Sequence, residues 1–371
     1  MEFKIERDEF VKGLYRAQSV AEKKGTMPIL LNVLIEAQGG GISVTATDLE
    51  IGLKGFHPAE IIKEGRSTLC AKKLYEVIKE LPEKNVSFLL KENQWAEITS
   101  GRSIFKIMGM SAETYPSLPA YEEEGFFSVE LETLREMIEK TIFAVSTDES
   151  RRNLAGVFFV KLGEEEGNGV RMVATDGFRL SMIDRPVRIE WKSLENGILL
   201  PRKGLGELGR LLDEGGDTVW IKLKDNNFIV KKDHIVLLMR LLDAQFPDYR
   251  QVIPPKSKRQ LRMKRRQILE SLRRVSILSS EKTKGVKFYF SKDLLELSSY
   301  NPELGEAKEE LAIDYKGEEL MVGFNARFLL EVLNIIKSEE VILDLEDGKS
   351  PAVIRPSDDD RHTCLIMPMR I

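Results

Sequence analysis

The chain has 371 residues, 42% of them apolar, and carries 56 Lys and Arg against 60 Asp and Glu, a net charge of −4. That length suggests two or three domains with real cores, and the acidic excess argues against a tight, indiscriminate nucleic-acid binder. No apolar run reaches the roughly 18 residues of a membrane span, segment 1–7 is charged throughout and unlike a secretory leader, and the lone pair Cys70 and Cys364 suits a reducing compartment, so the expectation is a soluble, cytoplasmic protein.

In chain order, a strand over 2–5 leads into a helix over 8–24, and a hairpin follows, 30–37 with 41–48. A second helix covers 72–80 and strands at period two resume at 86–90. Tyr115-Pro116-Ser117-Leu118-Pro119 and the acidic Glu122-Glu123-Glu124-Gly125 then close the unit. The order recurs as strand 127–130, helix 131–146, hairpin 157–162 with 169–175, helix 202–214 and strand 219–223. Phe246-Pro247-Asp248-Tyr249 and Ile253-Pro254-Pro255 close that round. A third runs through strand 260–263, helices 263–282 and 325–340 and strand 341–345.

The stride of about 125 residues is a repeat of whole domains rather than of a short stacking unit. The expected domains are 1–119, 126–247 and 256–371. Helices that never separate parallel strands point to an α+β fold, with two helices per repeat packed on antiparallel sheets. The proline connectors should hold neighbouring repeats at fixed angles. Leu365-Ile366-Met367-Pro368-Met369-Arg370-Ile371 stands where the other repeats have a connector, which makes it a candidate contact surface. The six helical segments carry 20 basic and 16 acidic residues, +4, and the rest of the chain −8. Solvated helix faces explain that asymmetry as readily as a polyanion does.

Signs of catalysis are sparse. His57, His234 and His362 fall one to a repeat at inequivalent positions, with no metal-ligand spacing and no evident base for a Ser or Cys nucleophile. Gly204-Leu205-Gly206-Glu207-Leu208-Gly209 spells a dinucleotide fingerprint, but it lies inside a Leu-periodic helix opened by Pro201, with no strand expected before it. Thr45-Ala46-Thr47-Asp48 echoes Val173-Ala174-Thr175-Asp176. An Asx-turn between two strands explains both aspartates better than catalysis does. The second copy adds Gly177, Phe178 and Arg179. No enzyme activity, metal or cofactor is expected.

Ala174-Thr175-Asp176-Gly177-Phe178-Arg179-Leu180, Phe246-Pro247-Asp248-Tyr249-Arg250, Gly323-Phe324-Asn325 and the terminal Met367-Pro368-Met369-Arg370-Ile371 closely resemble the bacterial DNA polymerase III beta subunit, the sliding clamp family, over the whole chain. The resemblance implies a head-to-tail homodimer that closes a ring of like domains around duplex DNA. The ring would tether the replicative polymerase and other proteins bearing short clamp-binding peptides, and would be opened by a clamp loader. By motif it implies DNA contact by Lys24, Lys72, Lys73 and Arg152. It also implies a partner-peptide cleft of Leu154, Thr175, Gly177, Phe178, Arg179, Leu180, Pro247, Val252, Asn325, Phe328, Ile366, Met367, Pro368, Met369 and Arg370. Arg152 and Asn153 stand where the family often has aromatics, and Gln251 where it often has a basic residue. For ring closure, Arg102, Ile104, Phe105 and Ile107 read as an alternating edge strand, facing Ile277 and Leu278 at a helix end. Glu303, Glu306, Glu309 and Glu310 are available to pair with Arg102 or Lys106. The alternative is an interaction scaffold of the same fold that does not encircle DNA.

Overall fold

The computed structural model describes the chain apart from residues 22–26, 149, 190, 256–258 and 371, and Ser193 by its backbone alone. Among the described residues six α-helices form: α1 (Arg7–Val20), α2 (Ala71–Lys79), α3 (Leu131–Ile142), α4 (Arg202–Leu212), α5 (Arg265–Ser276) and α6 (Ala326–Ile335). Each buries one stripe at helical spacing. In α1 the stripe is Phe10, Gly13, Leu14, Ala17 and Val20, and in α5 it is Ile268, Leu269, Leu272 and Val275. The helices stop earlier than their apolar periodicity does. Ile336 is buried at 1% exposure but in extended backbone (ψ 129°), so α6 ends although the pattern continues.

Every strand pairing among the described residues is antiparallel, and the chain divides into two compact units, residues 1–132 with 203–241 and residues 133–202 with 242–371. These do not follow the repeat boundaries, because each unit is built on an eight-stranded sheet that crosses one. In the first unit the sheet runs Phe127–Glu130, Thr218–Lys224, Asn227–Lys232, Ile235–Arg240, Ile51–Pro58, Gly41–Thr47, Asn32–Gln38, Gly65–Cys70, and it passes from second repeat to first at the pairing of Leu238 with Gly52. In the second unit it runs Ile198–Pro201, Gly156–Leu162, Gly169–Thr175, Arg179–Arg185, His362–Ile366, Ala352–Pro356, Glu340–Asp344, Gln260–Lys264, and it passes from second repeat to third where Leu180 pairs with Leu365. The rigidity expected of the connectors is thus supplied largely by backbone hydrogen bonds across each junction.

Each unit also holds a smaller sheet. The first has five strands ending on Ser103–Met108, and the second has four, with Gly305–Ala312 at one edge and Leu320–Asn325 at the other. Helices and sheets share cores. Phe3 stacks on Phe88 at 4.7 Å and meets Phe10 of α1 edge-on. Leu272 of α5 and Val332 of α6 close over Phe288 and Phe324. The glycine fingerprint does lie inside α4, but the strand Ile198–Pro201 leads into it after all. The helix has already begun at Arg202, so no loop remains whose backbone could cradle a phosphate.

Candidate partner groove and nucleic-acid interface

All the cleft residues expected from the sequence lie in the second unit. Its centre is the turn between strands Gly169–Thr175 and Arg179–Arg185. Asp176 Oδ1 accepts hydrogen bonds from the backbone N–H groups of Phe178 and Arg179, both at 3.0 Å, while Thr175 Oγ1 accepts from Gly177 N at 3.1 Å and donates to Arg179 O at 2.5 Å. Gly177 has φ +88°, a conformation that a residue without Cβ adopts freely. The aspartate therefore organises backbone, as expected, and the turn leaves Phe178 57% exposed.

Arg179 points the other way. Only 6% exposed, it donates to Asp176 Oδ2 at 3.1 Å, to the carbonyl of Phe143 at 2.6 Å and to Glu331 of α6, and its guanidinium lies 4.6 Å from the Phe328 ring centroid and 5.3 Å from that of Phe143. It fastens the turn to the end of α3 and to α6, and with Phe178 and Phe328 it lines a cavity of about 420 Å³. Asn325 is likewise occupied, its side chain capping α6 by accepting from Arg327 N at 3.0 Å.

The floor beside the turn is apolar. Leu154 and Leu180 pack in one cluster with Val173, Leu199, Val353 and Leu365, covered by Phe246 and Tyr249 of the connector. Phe246 stacks on Phe158 at 5.0 Å, and the Tyr249 hydroxyl accepts from Arg171 at 3.2 Å. Asp248 caps the short turn Tyr249–Val252, which leaves Pro247 and Val252 exposed. The terminal segment completes the rim. Ile366, fully buried, ends its strand opposite Arg179; Met367 N then donates to Phe178 O at 2.9 Å, and Met369 N donates to Gly323 O at 2.8 Å. Pro368 between them has no N–H to give. The last residues thus step from the eight-stranded sheet onto the edge of the four-stranded one. Met367 is left 39% exposed, Pro368 and Met369 half-buried, and Arg370 exposed. Exposed Phe178, Val252 and Met367 over a Leu-lined floor suit an apolar side chain from a peptide, and methionine deforms to fit several such chains.

The histidines are less scattered than their spacing suggests. His57 is buried with a ring nitrogen 2.8 Å from Glu9 of α1, and its strand is hydrogen-bonded to the segment holding His234. His362 Nε2 lies 3.3 Å from Ser181 Oγ and 3.4 Å from Cys364 Sγ, so a base does converge on a Ser and a Cys. All three are 0% exposed. Burial pushes the Cys364 thiol up to about 12 and, aided by the charge of Lys140, holds His362 down at about 4. A neutral thiol that solvent cannot reach is not a nucleophile.

Three family models tile the chain: the DNA polymerase III beta subunit N-terminal domain over residues 1–119, its central domain over 128–248 and its C-terminal domain over 250–370. The beta sliding clamp of Pseudomonas aeruginosa is 34% identical over 372 residues, with the whole of both chains covered. The chain belongs to the DNA polymerase III beta subunit family. It is also 32% identical over 375 residues to the beta sliding clamp of Escherichia coli K12, again along all of both chains. Among solved structures it is similar to the DNA polymerase III subunit beta of P. aeruginosa, at 34% identity and TM-score 0.92. It is similar also to the sliding clamp of Bartonella birtlesii bound to griselimycin, at 32% identity and TM-score 0.95, both comparisons covering the whole of each chain.

The residues that a clamp would turn toward DNA sit differently from one another. Lys72 and Lys73 lie in the first turn of α2 with side chains 76% and 68% exposed, each within reach of Glu76, at 3.9 and 2.7 Å. Arg152 is exposed in the short turn Arg152–Leu154. Lys24 lies outside the described residues.

The clamp's two expected closing surfaces are a free edge in each unit. Strand Ser103–Met108 ends its sheet: Ile104, Lys106 and Met108 are exposed on one side, Ile104 at 61%, while on the other Ser103 and Ile107 are half-buried and Phe105 is still 40% exposed, and Arg102 just before the strand is exposed. Neither side of this edge is sealed by the chain's own core. Ile277, 73% exposed, and half-buried Leu278 follow the end of α5, near the acidic edge strand Gly305–Ala312 that carries Glu306. Glu303 lies in the preceding turn. Glu309 is not available as expected, because Arg274 and Ser271 already hold it at 2.5 and 2.6 Å.

Proposed function

We propose that two copies of this chain close head to tail into a ring around duplex DNA. The ring holds the replicative polymerase and other DNA-processing proteins at the groove beside Phe178, and a clamp loader opens it. On this reading the clamp domains are 1–119, 126–247 and 256–371, and the protein works in the cytoplasm. The observation that carries the reading is the pair of open sheet edges. An exposed apolar edge such as Ile104–Phe105 is an aggregation hazard unless a partner strand covers it. An acidic strand edge with Ile277 beside it offers such a partner in a second copy. Surface ion pairs such as Arg102 with Glu306 add only about 0–1 kcal/mol each, so apolar contact and the continued sheet carry the closure.

Topology then does what charge does not. The net charge is −4, and Lys72 and Lys73 of α2 already face Glu76, so phosphate contacts are few and sliding is not arrested. The test is retention after loading: the protein stays on closed circular DNA and runs off the same molecule once it is linearised. Equal retention on both forms, lost steeply with salt, would refute encirclement in favour of plain electrostatic binding.

A further inference from the structure

The groove beside Phe178 has a structural counterpart in the first unit. There Asp48 Oδ1 accepts from Glu50 N and Ile51 N at 3.0 and 2.7 Å, and Thr47 Oγ1 accepts from Leu49 N and donates to Ile51 O. These are the bonds of the Asp176 turn, atom for atom, with Leu49 at φ +74° in the place of Gly177. Counting on from the aspartates, Glu50 stands for Phe178 and Gly52 for Leu180. The register agrees: Gly52 pairs with Leu238 across the first repeat junction, as Leu180 pairs with Leu365 across the second. Each junction is also crossed by a proline connector.

The difference lies in what fills the floor. A Cβ on Gly52 would come within 2.4 Å of Leu118 Cδ2, and its three nearest neighbouring atoms all belong to Leu118. Leu118 belongs to the first connector and packs, with Tyr121 and Phe126, on Ile229, Val236 and Leu238. Connector residues lie over the floor in both junctions, Phe246 and Tyr249 in the second; in the first, Leu118 also takes the space beside Gly52 where the second junction has the Leu180 side chain. A cavity of about 440 Å³ remains beside this segment, lined by Leu34, Thr45, Tyr115 and Leu118 among others.

We propose that the first junction is a second peptide groove of the same design, held shut by Leu118 as a built-in ligand, so that each chain offers one partner site rather than two. This rests on the reading of the Phe178 groove as a site for short peptides with Leu or Phe anchors. Gly52 and Leu118 form the lock together. A leucine at 52 would displace the connector, and an alanine at 118 would vacate the floor.

The test exchanges the two. Gly52→Leu with Leu118→Ala moves the apolar volume from connector to sheet, a swap that a packed site tolerates, and it removes the side chain nearest to the new Cβ. The probe is a fluorescein-labelled hexapeptide ending in Leu-Phe, titrated by anisotropy and calorimetry. The wild type should bind one peptide per chain and the double variant two. With residues 367–371 removed, binding should fall to none in the wild-type sequence and remain at one in the double variant. If the double variant fails to fold, Leu118→Ala alone in the truncated chain decides: regained binding supports the lock, and none overturns it. One peptide per chain in a folded double variant, with none after truncation, also overturns it. If the wild type binds no peptide at all, the Phe178 groove itself has been misread, a distinguishable failure.

Discussion

Arg179 offers the sharpest test of how the groove is held. Arg179→Met keeps the aliphatic stem between Phe143 and Phe328 and removes the guanidinium, with its bonds to Asp176, the Phe143 carbonyl and Glu331. A charge-assisted hydrogen bond contributes about 1.5–3 kcal/mol, and removing one member of a buried ion pair costs about 3–5 kcal/mol. The Asp176 and Glu331 side chains keep 15% and 30% exposure, so water relieves part of that penalty. The expected loss is therefore about 2–4 kcal/mol, confined to the turn, α3 and α6. A three-domain chain need not unfold in one step, so native-state hydrogen exchange of α6 amides is the proper readout. Adding Glu331→Gln should give a smaller loss than the sum of the two single changes, although Glu331 keeps its bond from Arg327 at 2.9 Å and so is never left wholly unpaired. Peptide affinity should fall as well, because the carbonyl of Phe178 that holds Met367 N is fixed by this turn. A loss below about 0.5 kcal/mol, or strict additivity with Glu331→Gln, would refute the argument.

Ile277→Ala with Leu278→Ala should shift sedimentation toward monomer by several kcal/mol, about 2–5 over two equivalent interfaces, by removing aliphatic groups buried on closure; an unchanged dimer would discount this surface. Lys24→Glu with Lys72→Glu should weaken loading on DNA and leave sedimentation unchanged. The second unit should lose stability on acidification in two stages. Its neutral, buried His362 has a depressed value of about 4, so its contribution is complete above the unfolded value near 6.5 and is lost as pH falls toward 4. Burial alone would raise Glu136, but hydrogen bonds from Arg185 and Lys140 outweigh it and hold the carboxyl at about 2, so its contribution is lost only below about 4.3. Hydrogen exchange against pH reads both stages, and Glu136→Gln should reduce the second without removing it, because, despite partial burial, Asp359 and Glu331 are also held below the usual carboxylate range by Arg185 and Arg179. Deleting residues 367–371 should abolish peptide and polymerase binding while leaving the dimer intact; collapse of the dimer would mean that the segment serves the core instead.

What the sequence could disclose follows from the range of the interactions. Helix stripes, the hairpins and the two Asx-turns are local: Asp48 and Asp176 each bond residues two and three places on, so a four-residue motif specifies them. Helix ends were overrun because Ile336 is apolar for the sake of the core, not of a helix. Pairings across repeats left no periodic trace. Nothing in Ile51–Pro58 or Ile235–Arg240 announces that the two are neighbours, since any pair of buried antiparallel strands would show the same apolar pattern. The same limit hid Phe143 and Glu331 as partners of Arg179, which the resemblance assigns to the cleft and which the fold leaves only 6% exposed. It also hid the relation of Gly52 to Leu118, 66 positions apart. Only the sheet register that sets Gly52 against Leu238 brings the glycine and the connector leucine into one packed site.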